Sequence, residues 1–375
     1  MSLARDIIDR IFHPNRDVHA IPVLDGNLSP NERLDRAFVL GEPFDAPDAL
    51  ALDSSGTLYV SSGRTIQVCR GPDFAERRTF ATFDVEVGAL AWFASTGLVA
   101  ALSGKGIVSL TAEGAIAARL TSVAGEQLRS VTALAIADDG LIYIADGSRH
   151  NPAAEWHRDL LEKRTPSGRI IVCDRQLSNA RILADGLDWP AGLVVSHDGR
   201  SLLVTEAWAH RLSALARDGG TPRALVKNFA GYPCRISRGT RGDYWLAFFG
   251  LRTQLMEFVL REDSFRMRML EAVEPHLWIG PRLGGAADYR EAMQIGRIKK
   301  LGIQKPWAPP RSYGLVARIG TDGAARESYH SRTSGEVHGI TAALADPAGQ
   351  VLAVSKGHGK LIRLPTGPCP SRRTP

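Results

Sequence analysis

Apolar residues in this 375-residue chain come in short runs broken by a turn that carries glycine, and the unit recurs. ALALDSSGTLYVSS surrounds Gly56, ALAWFASTGLVAAL surrounds Gly97 and ALAIADDGLIYIAD surrounds Gly140. GLVVSHDGRSLLVTE follows around Gly199, RISRGTRGDYWLAF around Gly242 and ITAALADPAGQVLAVS around Gly349. Runs this short, bounded by Gly, Asp or Pro, predict strands, and the intervening glycine predicts a hairpin turn that needs positive φ. Each hairpin is followed by more segments of the same kind: TIQVCR and RRTFATF, then GIVSLT and AIAARLT, then GRIIVCD and ARILAD, then RLSALAR and PRALVKN.

The six glycines are 41, 43, 59, 43 and 107 residues apart. Three of these intervals match the ~40–45 residues of one four-stranded propeller blade. The pattern therefore predicts an all-β fold, a six-bladed β-propeller occupying residues 34–365, rather than a sandwich or an α/β domain. The last repeat ends at KLIRLP without a fourth strand, so the segment near Ala37–Leu40 is expected to supply it and close the ring. Residues 1–33 read as an N-terminal extension and 366–375 as a C-terminal tail.

Two intervals are too long. One excess falls in SRHNPAAEWHRDLLEKRTPSG, the other between about 251 and 311, inside the fifth blade. There Leu255, Val259, Met267, Leu270 and Val273 approximate helical spacing, and YREAMQIGRIKKLG is a second helical candidate before Pro306, Pro309 and Pro310. Long insertions on a rigid scaffold serve as lids or binding loops, or simply cap apolar surface.

Composition narrows the function class. With 46 Lys plus Arg against 40 Asp plus Glu the net charge is only +6, too diffuse for a nucleic-acid stripe. No run of 18 apolar residues exists, and the charged MSLARDIIDRIF start is unlike a signal peptide, so a cytoplasmic protein without a membrane partner is expected. Cys69, Cys173, Cys234 and Cys369 show no CxxC spacing, which argues against a disulfide framework or structural zinc.

The residues that open the innermost strand of each blade converge at one mouth of a propeller's channel. In chain order they are Asp48, Glu86, Thr132, Ala191, Cys234 with Arg235, and His338. Such convergence is the geometry of a small-molecule site, with His338 as base, Arg235 as anion or oxyanion stabiliser and Asp48 or Glu86 as orienting carboxylate. Thr132, Ala191, Cys234, Trp189 and Tyr232 are expected to help line it. The alternative is that Asp48 and Glu86 cap turns or pair with arginines, and that His338 is a hydrogen-bonded channel histidine. Gly147–Asn151 with His157 and Asp159 offers metal-ligand types without a zinc spacing. Glu206 and Arg211 read as a structural ion pair, and Cys234 as a small buried residue rather than a nucleophile.

Gly168–Leu212 resembles the strictosidine-synthase-like family, within the wider gluconolactonase and paraoxonase superfamily of six-bladed propellers. Gly231–Phe248 is similar to that family's GYPDNI-type blade, Ile21–Ala37 to its N-terminal lead-in and Ser312–Gly323 to its return from the helical insertion. The resemblance implies a small-molecule enzyme. Metal-dependent members hold calcium with a Glu, Asn and Asp set that polarises a lactone or ester carbonyl. At the corresponding positions this chain has Asp48, Thr132, Ala191 and Cys234 followed by Arg235, so Asp48 alone could contact a metal and no cofactor is expected to be required. Plant strictosidine synthases use a last-blade Glu for amine–aldehyde condensation; that position falls near Thr341, with Glu336 and His338 just upstream. Ester or lactone hydrolysis is thus the leading expectation. A non-catalytic propeller binding an anionic small molecule, a condensing enzyme and a scaffold using the insertion are the alternatives.

Overall fold

The computed structural model describes residues 20–94, 97–285, 299–300, 303–304, 312–333 and 335–365. Six four-stranded antiparallel sheets follow one another along the chain, each built as a meander. Their innermost strands are Pro47–Leu52, Val87–Phe93, Val131–Ile136, Pro190–Val195, Gly231–Arg238 and Ile340–Ala345. Blade 6 takes its outermost strand from Phe38–Val39, which pairs with Arg363 and Ile362, so the ring closes as the sequence predicts.

All six repeat glycines adopt positive φ, between 69° and 86°. That is the conformation the hairpin turns demand and a side chain resists. Buried apolar residues fall into clusters that straddle neighbouring blades. Ala49 and Ile66 of blade 1, for example, pack with Leu90 and Val108 of blade 2. Leu40, Ala342 and Leu352 of the closing blade pack with Leu58 and Val60 of blade 1. Closure therefore buries a sixth core like the other five.

Both insertions carry helices. In blade 3, α1 spans Trp156–Glu162. In blade 5, α2 spans Gln254–Arg261, capped by the Thr253 hydroxyl, and α3 spans Asp263–Ala272. Of the second helical candidate, Lys299–Lys300 is extended, not helical, and pairs with Ile303–Gln304. The rest of that segment, residues 1–19 and the tail 366–375 lie outside the described residues. Among the described residues no helix is long and apolar enough to cross a membrane.

One irregularity repeats in every blade. The innermost strand slips register just after it starts: between Pro47 and Leu50, Val87 and Leu90, Val131 and Ala133, Pro190 and Gly192, Pro233 and Ile236, and Ile340 and Ala342. Such bulges re-aim side chains. From inside the slips Asp48, Gly88, Thr132, Ala191, Cys234 with Arg235, and Thr341 all line one cleft.

Candidate functional site: an aromatic cleft over an ion triad

The cleft opens to solvent and encloses about 750 Å³ of non-atom space, the solvent at its mouth included. Its floor comes from the six bulges. Its walls come from the loops after each blade's second strand, which sit at the same end because first and second strands run antiparallel. Val87 pairs with Leu102, Pro190 with Glu206 and Ile340 with Ser355, so Ser103, Trp208 and Lys356 rise beside the mouth. The insertions add Trp156 from α1 and Leu283.

The floor is polar. Arg235 Nη2 lies 2.5 Å from Asp48 Oδ2, and Lys356 Nζ donates to Asp48 Oδ1 at 3.0 Å. Arg235 Nη1 also donates to the Asp48 carbonyl at 2.8 Å, as does the Thr341 hydroxyl at 2.7 Å. Burial disfavours the Asp48 charge, but Arg235 and Lys356 outweigh it and hold the carboxyl far below the usual range. Two cations against one anion leave the floor with net charge +1. Among the described residues Arg235 Nε is buried with no hydrogen-bond partner.

Close packing fixes this floor. A Cβ on Gly192 would stand 2.3 Å from the Cys234 carbonyl oxygen, so only glycine lets blade 4 approach blade 5 here. Trp189 holds a left-handed backbone (φ 55°) directly before Pro190, a strained state for a bulky residue. Its ring stacks on Trp208 with centroids 5.1 Å apart, and the Trp208 indole donates to Asp159 at 3.0 Å.

Seven of the nine residues expected from the sequence meet here: Asp48, Glu86, Thr132, Trp189, Ala191, Cys234 and Arg235. Thr132 spends its hydroxyl on the Pro190 carbonyl at 2.5 Å, bracing blade 3 against blade 4. Burial pushes the Cys234 thiol up, more than Arg235 pulls it down, which suits a packing residue and not a thiolate. Glu86 is exposed at the rim, and among the described residues its carboxylate has no side-chain partner.

Two expected residues lie elsewhere. His338 is 2% exposed, with Nδ1 2.7 Å from the Ser312 hydroxyl and Nε2 2.9 Å from the Arg332 carbonyl. Both ring nitrogens are occupied and burial lowers its pKa, so the base role is corrected to a structural one. Tyr232 is fully buried behind the wall, stacked on Phe249 at 5.2 Å, and does not line the cleft. Lys356, Trp156, Trp208 and Phe249 complete the site: Lys356 and Trp208 sit just past second strands, Phe249 within the second strand of blade 5, and Trp156 in the blade 3 insertion, none of which the first-strand positions point to.

Glu206 and Arg211 form the expected pair, Nε to Oε1 at 2.6 Å and Nη2 to Oε2 at 2.7 Å. In the Gly147–Asn151 segment Arg149 grips Asp185 at 2.6 Å and Glu126 at 2.7 Å, while Asn151 bonds Asp159 and Glu162. Among the described residues no group of three metal-ligating side chains converges. The mouth does not fit calcium either. Both Asp48 oxygens are taken by cations, Ala191 has no donor and Cys234 offers a thiol, whereas Ca²⁺ wants six to eight oxygens.

Fold and cleft together define a six-bladed propeller with an aromatic, charge-floored cleft at one channel mouth. The strictosidine synthase family model matches residues 132–215, from blade 3 into blade 4. A strictosidine synthase-like protein of Arabidopsis thaliana, number 6 of its series, is 28% identical over 163 residues, 43% of this chain and 44% of its own length. The adipocyte plasma membrane-associated protein of Salmo salar is 24% identical over 234 residues, 60% of this chain and 48% of its own. Each match thus spans less than half of the curated relative. Among solved structures, a gluconolactonase from Xanthomonas campestris superposes with a TM-score of 0.57 at 17% identity, covering 89% of this chain and 91% of that one. Regucalcin, a calcium-binding protein from Agrobacterium tumefaciens, gives 0.56 at 14% identity, covering 88% and 92%. The resemblance to the strictosidine-synthase-like family is borne out, and the likeness to the solved structures shows the propeller fold.

Proposed function

We propose that the protein hydrolyses an ester or lactone of a small molecule held in this cleft, without a metal, in the cytoplasm. The observation that carries the reading is Lys356. Its ammonium faces the cleft with one donor spent on Asp48, leaving two for a substrate carbonyl. In the family's metal-dependent members a cation polarises that carbonyl; here the lysine supplies the positive charge. Asp48 is too acidic and too fully engaged to accept a proton. Glu86, unpaired at the rim, is the carboxylate free to do so.

The step balances simply. A water oxygen bonds to the carbonyl carbon, its proton passes to Glu86, and the carbonyl electron pair moves onto the oxygen facing Lys356. Collapse breaks the carbon–oxygen bond, and Glu86 returns the proton to the leaving oxygen.

Aryl esters and lactones assayed with calcium and with chelator test this. Equal turnover in both conditions is expected, falling on the order of 100-fold in Glu86→Gln. Absence of turnover across the panel would overturn it. One observation favours a second reading, anion binding without reaction: among the described residues, the only unengaged carboxylate lining the cleft sits at its solvent edge. Saturable binding with no turnover would select that reading.

A further inference from the structure

The wall and the floor of the cleft differ in kind, and together they narrow what it accepts. Trp156, Trp189, Trp208 and Phe249 form one continuous aromatic surface. Trp156 meets Phe249 edge-on at 5.2 Å and lies 6.4 Å from Trp208, while Trp208 meets Phe249 edge-on at 6.1 Å. Trp208 cannot swing freely, because its indole nitrogen is tied to Asp159 and its ring to Trp189. A rigid wall of π-faces rewards a flat ring over a saturated one of equal size. The floor below carries two cations and one carboxylate, with a buried Arg235 Nε that has no hydrogen-bond partner among the described residues. Rim-exposed Glu86 is screened by solvent, so the buried charges decide which ligand charge is favoured.

We propose that the cleft selects a planar aromatic ring bearing an acyl arm, the ring against the tryptophans and the carboxyl group over Lys356 and Arg235. This rests on the small-molecule hydrolase reading and adds its substrate class: aryl-acyl esters or lactones, whose carboxylate product is itself a ligand of the resting protein. An aromatic amine is disfavoured, since its ammonium would meet the net positive floor.

Calorimetric titration of the intact protein with indole-3-acetate, cyclohexaneacetate and tryptamine tests the class whether or not turnover occurs. Indole-3-acetate should bind saturably, the other two at least about tenfold more weakly. Lys356→Met should weaken indole-3-acetate about tenfold and leave neutral 3-methylindole unchanged. Trp156→Leu, at a half-buried site, should weaken both ring ligands in a protein that melts normally. Cyclohexaneacetate or tryptamine binding as tightly as indole-3-acetate, or no effect of Lys356→Met in a protein that melts normally, would overturn the proposal. Indole-3-acetate binding without hydrolysis of any aryl ester would sink the hydrolase reading and leave this one standing. Turnover of ring-free lactones without indole-3-acetate binding would do the reverse.

Discussion

Arg235 and Asp48 are 187 residues apart in the chain, yet the guanidinium of one lies 2.5 Å from the carboxylate of the other at the centre of the ring. The pair joins blade 5 to blade 1 across the first strand of blade 6, whose Thr341 carbonyl also lies within reach of Arg235 at 3.4 Å. Side chains this enclosed depend on each other. Arg235→Met alone should cost about 3 kcal/mol in urea unfolding, because a buried carboxylate loses its main partner, while Asp48→Leu with Arg235→Met should recover most of that loss. Since the Asp48 pKa is depressed, its contribution is complete above the unfolded value near ~4 and is lost only as pH falls well below it. Acid unfolding curves of the double variant should therefore diverge from wild type only in that acid range.

His338 holds Ser312 and the Arg332 carbonyl together in a buried pocket off the cleft. His338→Ala should lower stability by roughly 1–3 kcal/mol, the cost of orphaned buried groups, and leave ligand affinity within about twofold. A thermal melt alongside a binding titration separates the two effects.

Asp188 lies beside the strained Trp189. Burial, aided by the nearby Glu206 carboxylate, raises its pKa to about 6. A raised carboxyl keeps its proton in the folded state after the unfolded chain has released it, so stability falls as pH rises from about 4 to 6. Asp188→Asn should leave the protein unchanged at acid pH and stabilise it by about 1–2 kcal/mol above neutrality. Melting temperatures measured across that window would show the two curves separating on the alkaline side.

Calcium offers a fourth check. The mouth presents one carboxylate already held by Arg235 and Lys356, so adding calcium or chelator should not move the melting temperature. A saturable rise with calcium would show that the ion displaces Lys356.

The ring was legible because its signal is periodic: six glycines forced to positive φ mark six hairpins, and the missing last strand points to residues near Phe38. The mouth was half legible for the same reason. First-strand starts repeat with the blade, so Asp48, Thr132, Ala191 and Arg235 could be aligned by counting. Lys356 and Trp208 could not, because they sit in loops whose length varies from blade to blade and show their place only once Ser355 is seen opposite Ile340 and Glu206 opposite Pro190. His338 misled for a related reason. It precedes its strand by two residues, and the turn at Gly339, with φ at 61°, carries the ring away from the channel. Trp156 belongs to an insertion, where no periodicity exists to read.

The pairing of Phe38 with Arg363 has a consequence for the order of assembly. Blades 1 to 5 can each form as local meanders while the polypeptide emerges from the ribosome. Blade 6 needs a strand made at the start and three made at the end, so it is the last to be completed. The cleft floor draws Asp48 from the first blade and Lys356 from the last. A polypeptide without blade 6 thus has a tryptophan wall but no Lys356, and the three-charge floor is complete only once blade 6 has closed.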